Sequence, residues 1–76
     1  MAKRLIFSSE FFYKKDKDIY SVKGIDIEHA IHKRGGIIVP IKDKIYIDIF
    51  DDNDTPRLKN FLYIYDLQPL EEINII

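Results

Sequence analysis

The chain has no cysteine and no tryptophan, and only three glycines and three prolines among its 76 residues. Without cysteine there is no disulfide framework, no thiolate chemistry and no Cys-type zinc site, and a reducing compartment fits best, so a cytoplasmic location is expected. Long apolar runs are missing too. Leu5-Ile6-Phe7 follows two basic residues, but Ser8, Ser9 and Glu10 end the run far short of a secretory signal or a membrane span. No membrane association is expected. Nor does one sign of charge dominate, since 12 Lys and Arg oppose 13 Asp and Glu. Proteins that track phosphates along nucleic acid normally carry a clear basic excess.

The imbalance that exists runs along the chain. Residues 1–38 hold eight basic and five acidic residues, residues 39–76 four and eight. This becomes a bipolar surface only if the two halves do not interleave in the fold.

Apolar and aromatic residues are plentiful: 46% of the chain is hydrophobic, with five Tyr and five Phe. A chain this short makes one domain, residues 1–76, that buries only about 60% of the surface its unfolded state exposes. Such domains usually need a staple, and with disulfides excluded the remaining choices are a metal or burial against a partner or a second copy.

Periodicity predicts the elements. Leu5–Tyr13 alternates as a strand, with Leu5 and Phe7 opposed to Ile6 and Ser8. Lys14–Asp18 reads as a turn, and Ile19–Lys23 returns as a short strand to make a hairpin. After Gly24 the period changes: Asp26 is an N-cap, Ile27, Ala30 and Ile31 fall at helical spacing, Lys33 and Arg34 suit the negative helix end, and Gly35 stops it. Ile37–Ile41 is a strand that Pro40 confines to an edge or a bulge. Lys42-Asp43-Lys44 turns into Ile45–Phe50, with Ile45, Ile47 and Ile49 dry and Tyr46, Asp48 and Phe50 half-wet. Thr55-Pro56 opens a single helical turn through Leu58, and Phe61–Leu67 reads as another strand with Tyr63 and Tyr65 on one face. The apolar tail, Ile73 to Ile76, is expected to dock on this molecule or a neighbour. The order β-β-α-β-β-β predicts an α+β domain: a small antiparallel or mixed β-sheet with one short helix on one face.

Few residues suggest chemistry. His29 and His32 are three apart and share a helix side, but the zinc-protease signature needs histidines four apart with Glu after the first. No metal site and no cofactor is expected. Asp51-Asp52-Asn53-Asp54-Thr55 is acidic like a calcium loop, yet the required Gly and Glu positions hold Pro56 and Leu62, so a hydrogen-bonded turn is expected. Lys33-Arg34-Gly35-Gly36 offers basic side chains and amides to a phosphate, but its glycines end a helix where a phosphate-binding loop would begin one. Ser8, Ser9 and Ser21 lack a nucleophile context, and no enzyme is expected.

The function expected on these grounds is a non-enzymatic interaction module binding a protein partner through an exposed sheet face or edge, and forming a homo-oligomer. One two-turn helix cannot hide this much apolar surface, and such surfaces usually meet a partner. The candidate contact residues are Tyr46, Phe50, Tyr63, Tyr65, Ile75 and Ile76. A regulatory or inhibitory protein of a bacterium or phage would suit the size. The alternative is a nucleic-acid binder using Arg4, Lys14, Lys15, Lys17, Lys23, Lys33 and Arg34 beside Phe11, Phe12, Tyr13 and Tyr20, as stacking platforms are built.

Overall fold

The computed structural model describes residues 2–14, 20–22 and 25–75, with the backbone alone at 13, 14 and 20. In chain order the elements are β1 (Lys3–Ser8), β2 (Tyr13–Lys14), β3 (Tyr20–Val22), β4 (Ile25–Asp26), α1 (Glu28–Lys33), β5 (Gly36–Ile41), β6 (Lys44–Ile49), α2 (Thr55–Ile64) and β7 (Glu71–Asn74), with 3-10 turns at Ser9–Phe11 and Asp52–Asp54. The class is α+β. A four-stranded antiparallel sheet runs in the order β5-β6-β1-β7, and β2-β3-β4 form a small second sheet.

Alternation in the main sheet decides what is inside. In antiparallel ladders directly opposed residues share a face. Leu5 opposes Ile47, Phe7 opposes Ile45, and Ile38 opposes Ile47 from the other side. That face carries the core, closed by Ile27 and Ile31 of the α1 region, Leu58 and Leu62 of α2, Leu67, and Phe12 and Val22 from around the small sheet. Phe12 meets Phe7 edge-on at 5.7 Å, so it is a core residue and not part of a stacking platform.

The predicted strand from Leu5 to Tyr13 is broken in the middle. Ser8 caps the first 3-10 turn by accepting from the Glu10 N–H at 3.4 Å, and Ser9 N–H donates to Asp43 in the β5–β6 turn at 3.0 Å. Strand pairing therefore changes partner: β1 joins the main sheet, and β2 pairs with β3. The expected turn at Lys14–Asp18 lies, from Lys15 onward, outside the described residues, as do Ile19, Lys23 and Gly24.

The helix α1 forms where its sequence predicts, but its N-cap is Ile27, because Asp26 ends β4 paired with Ser21. The Asp26 carboxylate accepts from the His29 N–H at 3.4 Å, Ile31 is buried, and Gly35 takes φ +88°, in the left-handed region that favours glycine. Gly36 is buried where both helices meet the sheet, and a Cβ built there would approach Ile31 Cγ2 to 2.6 Å and Leu58 Cδ2 to 2.7 Å. β5 lies at the edge, as Pro40 implied.

The predicted strand at Phe61–Leu67 is overturned, because Phe61 to Ile64 belong to α2. The helix started at Thr55-Pro56 continues because Leu58 and Leu62, four apart, are both fully buried against the sheet. An apolar run fits either period, and helical spacing puts two leucines in the core while leaving Tyr63 and Ile64 outside. Asp66, at φ +61°, stops the helix. Its N–H donates to Tyr63 and that of Leu67 to Leu62, each at 3.0 Å, and Leu67 then enters the core.

The tail docks within the same molecule. β7 pairs with β1 from Lys3↔Asn74 to Ile6↔Glu71, and the Leu70 N–H donates to the Ile6 carbonyl at 2.7 Å. Glu72 bridges Lys3 of β1 at 3.0 Å and Lys59 of α2 at 2.7 Å, and these two ammonium groups hold its pKa below the usual value. Among the described residues the two halves of the sequence interleave: β1, with Lys3 and Arg4, lies between β6 and β7 from the other half.

Two outcomes follow. Gly36→Ala lowers stability in urea denaturation by about 1–3 kcal/mol through overpacking at a buried three-way contact. Glu72→Gln costs about 0.5–1 kcal/mol at neutral pH, the range for partly exposed pairs. A depressed carboxylate pKa stabilises above its unfolded value, so this difference is present at pH 7, fades as pH falls through the folded pKa, and is absent in strong acid.

Candidate functional site: the open face of the sheet

The face of the main sheet opposite the core carries no buried residue of either helix. Register lays its side chains out as a grid. One row runs Ile37, Asp48, Arg4, Ile73, the next Val39, Tyr46, Ile6, Glu71, and the third Ile41, Lys44, Ser8. Ile37, Ile41 and Ile73 are exposed, Val39 and Tyr46 half-buried, and Ile6 covered by its neighbours.

A single ion pair occupies the middle. Arg4 Nε donates to Asp48 Oδ1 at 2.7 Å and Nη2 to Oδ2 at 2.8 Å, a two-pronged contact between directly opposed residues. The Arg4 guanidinium also lies 4.6 Å from the Tyr46 ring centre. Its hydrogen bonds to Asp48 push the already high Arg4 pKa further up. Only 5% of Asp48 is exposed. A carboxylate this buried is tolerable because both oxygens are satisfied.

The residues singled out from the sequence divide between several places. Tyr46 is in the grid, beside the ion pair. Phe50 follows β6 directly and is exposed, while Ile75 follows β7 and its N–H donates to the Ala2 carbonyl at 3.1 Å. Tyr63 and Tyr65 are on no sheet face: Tyr63 is exposed on α2, and Tyr65 closes that helix with its ring edge-on to Phe61 at 5.2 Å. Ile76 lies outside the described residues.

The basic residues of the nucleic-acid alternative are also separated. Arg4 is tied to Asp48 on the open face, whereas Lys33 and Arg34 end α1, which packs on the other face. The Lys14 side chain, Lys15, Lys17 and Lys23 lie outside what is described. His29 binds Asp26 through Nδ1 at 2.8 Å, lowering the carboxyl pKa of Asp26, and both side chains are well exposed. Among the described residues no group of three or more His, Asp or Glu is placed to hold a metal ion. The Asp51 loop is a turn whose first carboxylate accepts from the Asn53 N–H at 2.9 Å.

No protein-family model, curated protein or solved structure matches this chain. Among the described residues, no helix is long and apolar enough to cross a membrane.

Sequence reading marked the Ile37–Ile41 edge and the Ile73–Ile76 tail as segments that could pair with a neighbour, but did not place Ile37, Val39, Ile41 and Ile73 on one sheet face. Their signal was the period-two pattern of β5 and β7, but which parity faces the core depends on the register with β6 and β1, and that register is non-local.

Arg4→Leu leaves Asp48 buried without its counter-ion and lowers stability by about 2–4 kcal/mol in denaturant titration. The double variant Arg4→Leu with Asp48→Leu recovers most of this, because the pair is then replaced by packed apolar groups. Additive losses in the double variant would show that the two residues act separately.

Proposed function

We propose that this chain is a non-enzymatic interaction module whose working surface is the open face of its sheet, and that the protein it meets there is a second copy of itself. The observation that carries the reading is the grid's self-complementarity. A two-fold axis parallel to the strands, between β6 and β1, sets Arg4 opposite the second copy's Asp48 and Ile37 opposite its Ile73, and the reverse, while Tyr46 meets Ile6. A two-fold contact requires one patch to match itself in this way. Two sheets stacked about 10 Å apart then enclose Ile37 and Ile73 at the ends of the first row, as in a sandwich.

Area sets the strength. Four strands about 4.8 Å apart and six residues at about 3.4 Å each give a face of roughly 20 by 20 Å, or about 400 Å² per partner. A standard stable interface buries about 800 Å² per partner. The dimer is therefore weak and concentration-dependent, suited to a regulatory or inhibitory component that exchanges partners, and the absence of cysteine suits a cytoplasmic one.

Light scattering across a concentration series checks this. Mass rises towards that of a dimer with concentration, falls only modestly with added salt because the charged centre of the contact is screened while its isoleucines are not, and falls back to monomer in Ile37→Lys or Ile73→Lys at unchanged melting temperature. A strict monomer at the highest concentration, or a dimer untouched by both substitutions, overturns the open face as the contact. Binding of nucleic acid that weakens steeply with salt would favour the basic alternative instead.

A further inference from the structure

On the helix side of the molecule, Lys33 and Arg34 at the end of α1 and Arg57 in the first turn of α2 line an open pocket of about 250 Å³. The three are 23 or more residues apart in two groups, and the fold converges them by packing both helices on Gly36 and β5. The Arg34 guanidinium is held in place: its Cζ lies 4.1 Å from the Phe61 ring centre, and Nη1 donates to the Ala30 carbonyl at 3.0 Å. Of the five N–H donors of an arginine this bond uses one. Asp54 contacts Arg57 at 3.3 Å and lies against Gly35, where a Cβ would collide with its carboxylate. Neither Lys33 nor Arg34 has a carboxylate partner among the described residues. Three cations thus line one pocket, and among the described residues one of them, Arg57, is paired with a carboxylate, that of Asp54.

We propose that this pocket binds a terminal phosphate group, a phosphomonoester or inorganic phosphate. Three donors arriving from two helices match the several acceptor oxygens of a phosphate, and a charge of −1.5 to −2 answers the two unneutralised cations, which a carboxylate or a backbone phosphodiester, each carrying one charge, does not. The planar Arg34 fork and the Arg57 fork supply directed bonds, and Lys33 a mobile point charge. This site is independent of the open face, which lies on the other side of the sheet.

The test is a backbone-amide NMR titration of the whole chain with inorganic phosphate, a nucleoside monophosphate, the matching nucleoside and an unphosphorylated DNA strand, with chloride holding ionic strength constant. Saturable shifts centred on Lys33–Gly36 and Thr55–Leu58 are expected with phosphate and the monophosphate, and not with the nucleoside. Lys33→Gln and Arg57→Gln, at exposed positions that leave the fold intact, each weaken binding by about tenfold, the loss expected for one charge-assisted hydrogen bond. Shifts no larger than those with chloride alone, or wild-type affinity in the doubly substituted chain, overturn the site. Tighter binding of the unphosphorylated strand than of the monophosphate overturns the terminal-phosphate assignment.

Discussion

The structure depends on β1 having partners on both edges. Its hydrogen-bonding groups are shared between β6 and β7, its odd residues Leu5 and Phe7 reach the core, and its even residue Arg4 holds the centre of the opposite face. A strand in that position fixes everything else by parity. Slipping it by one residue would send Arg4 into the core and Leu5 to the surface, and would part Arg4 from Asp48 at the same time. The ion pair therefore acts as a register lock whose value lies in the alternatives it forbids, because a paired buried charge adds little net stability beyond what apolar groups of the same shape would give.

One-sided coverage follows from the same arrangement. Both helices are short, six and ten residues, and neither could persist alone. They gain stability only by laying Ile31, Leu58 and Leu62 on the sheet, and both do so on the face where the isoleucines of β6 offer an unbroken dry surface. Once those helices are on that side, the described residues hold no third helix to put over the grid. Apolar residues at the ends of the grid rows are then left in water, and the central salt bridge keeps the face from being a continuous apolar sheet.

Much of this was legible from local pattern and some was not. The β5–β6 hairpin, the dry isoleucines and the edge position of Pro40 were readable because each rests on nearest neighbours in the chain. α1 was readable from Asp26 and Gly35, residues with strong positional preferences. Phe61 to Ile64 were not: the run of apolar residues fits strand and helix alike, and the choice was made by Leu58 and Leu62 finding the core, a tertiary fact. The break after Ser8 was hidden for a similar reason, since alternation continues through Phe11 while the Ser8 hydroxyl and the bond from Ser9 to Asp43 turn the backbone away. The basic pocket was half visible: Lys33 and Arg34 drew notice as a phosphate contact, but Arg57 joins them only through helix packing.

The pairing of β1 with β7 also orders events in time. Lys3 and Glu72 are 69 residues apart in the chain, and closing so long a loop costs entropy that is recovered only when the strands are already in place. The β5–β6 hairpin needs only its two-residue turn at Lys42 and Asp43, so it can form early and present β6 as a template for β1. The far edge of β1 then stays open until Glu71–Asn74 arrives. For that interval a strand carrying Leu5, Ile6 and Phe7 displays unpaired amides and carbonyls, and any neighbouring chain with a free edge competes with β7 for them. The ion pairs of Glu72 with Lys3 and Lys59 tie this last strand to both β1 and α2, so the cover of that edge is held by side chains as well as by backbone.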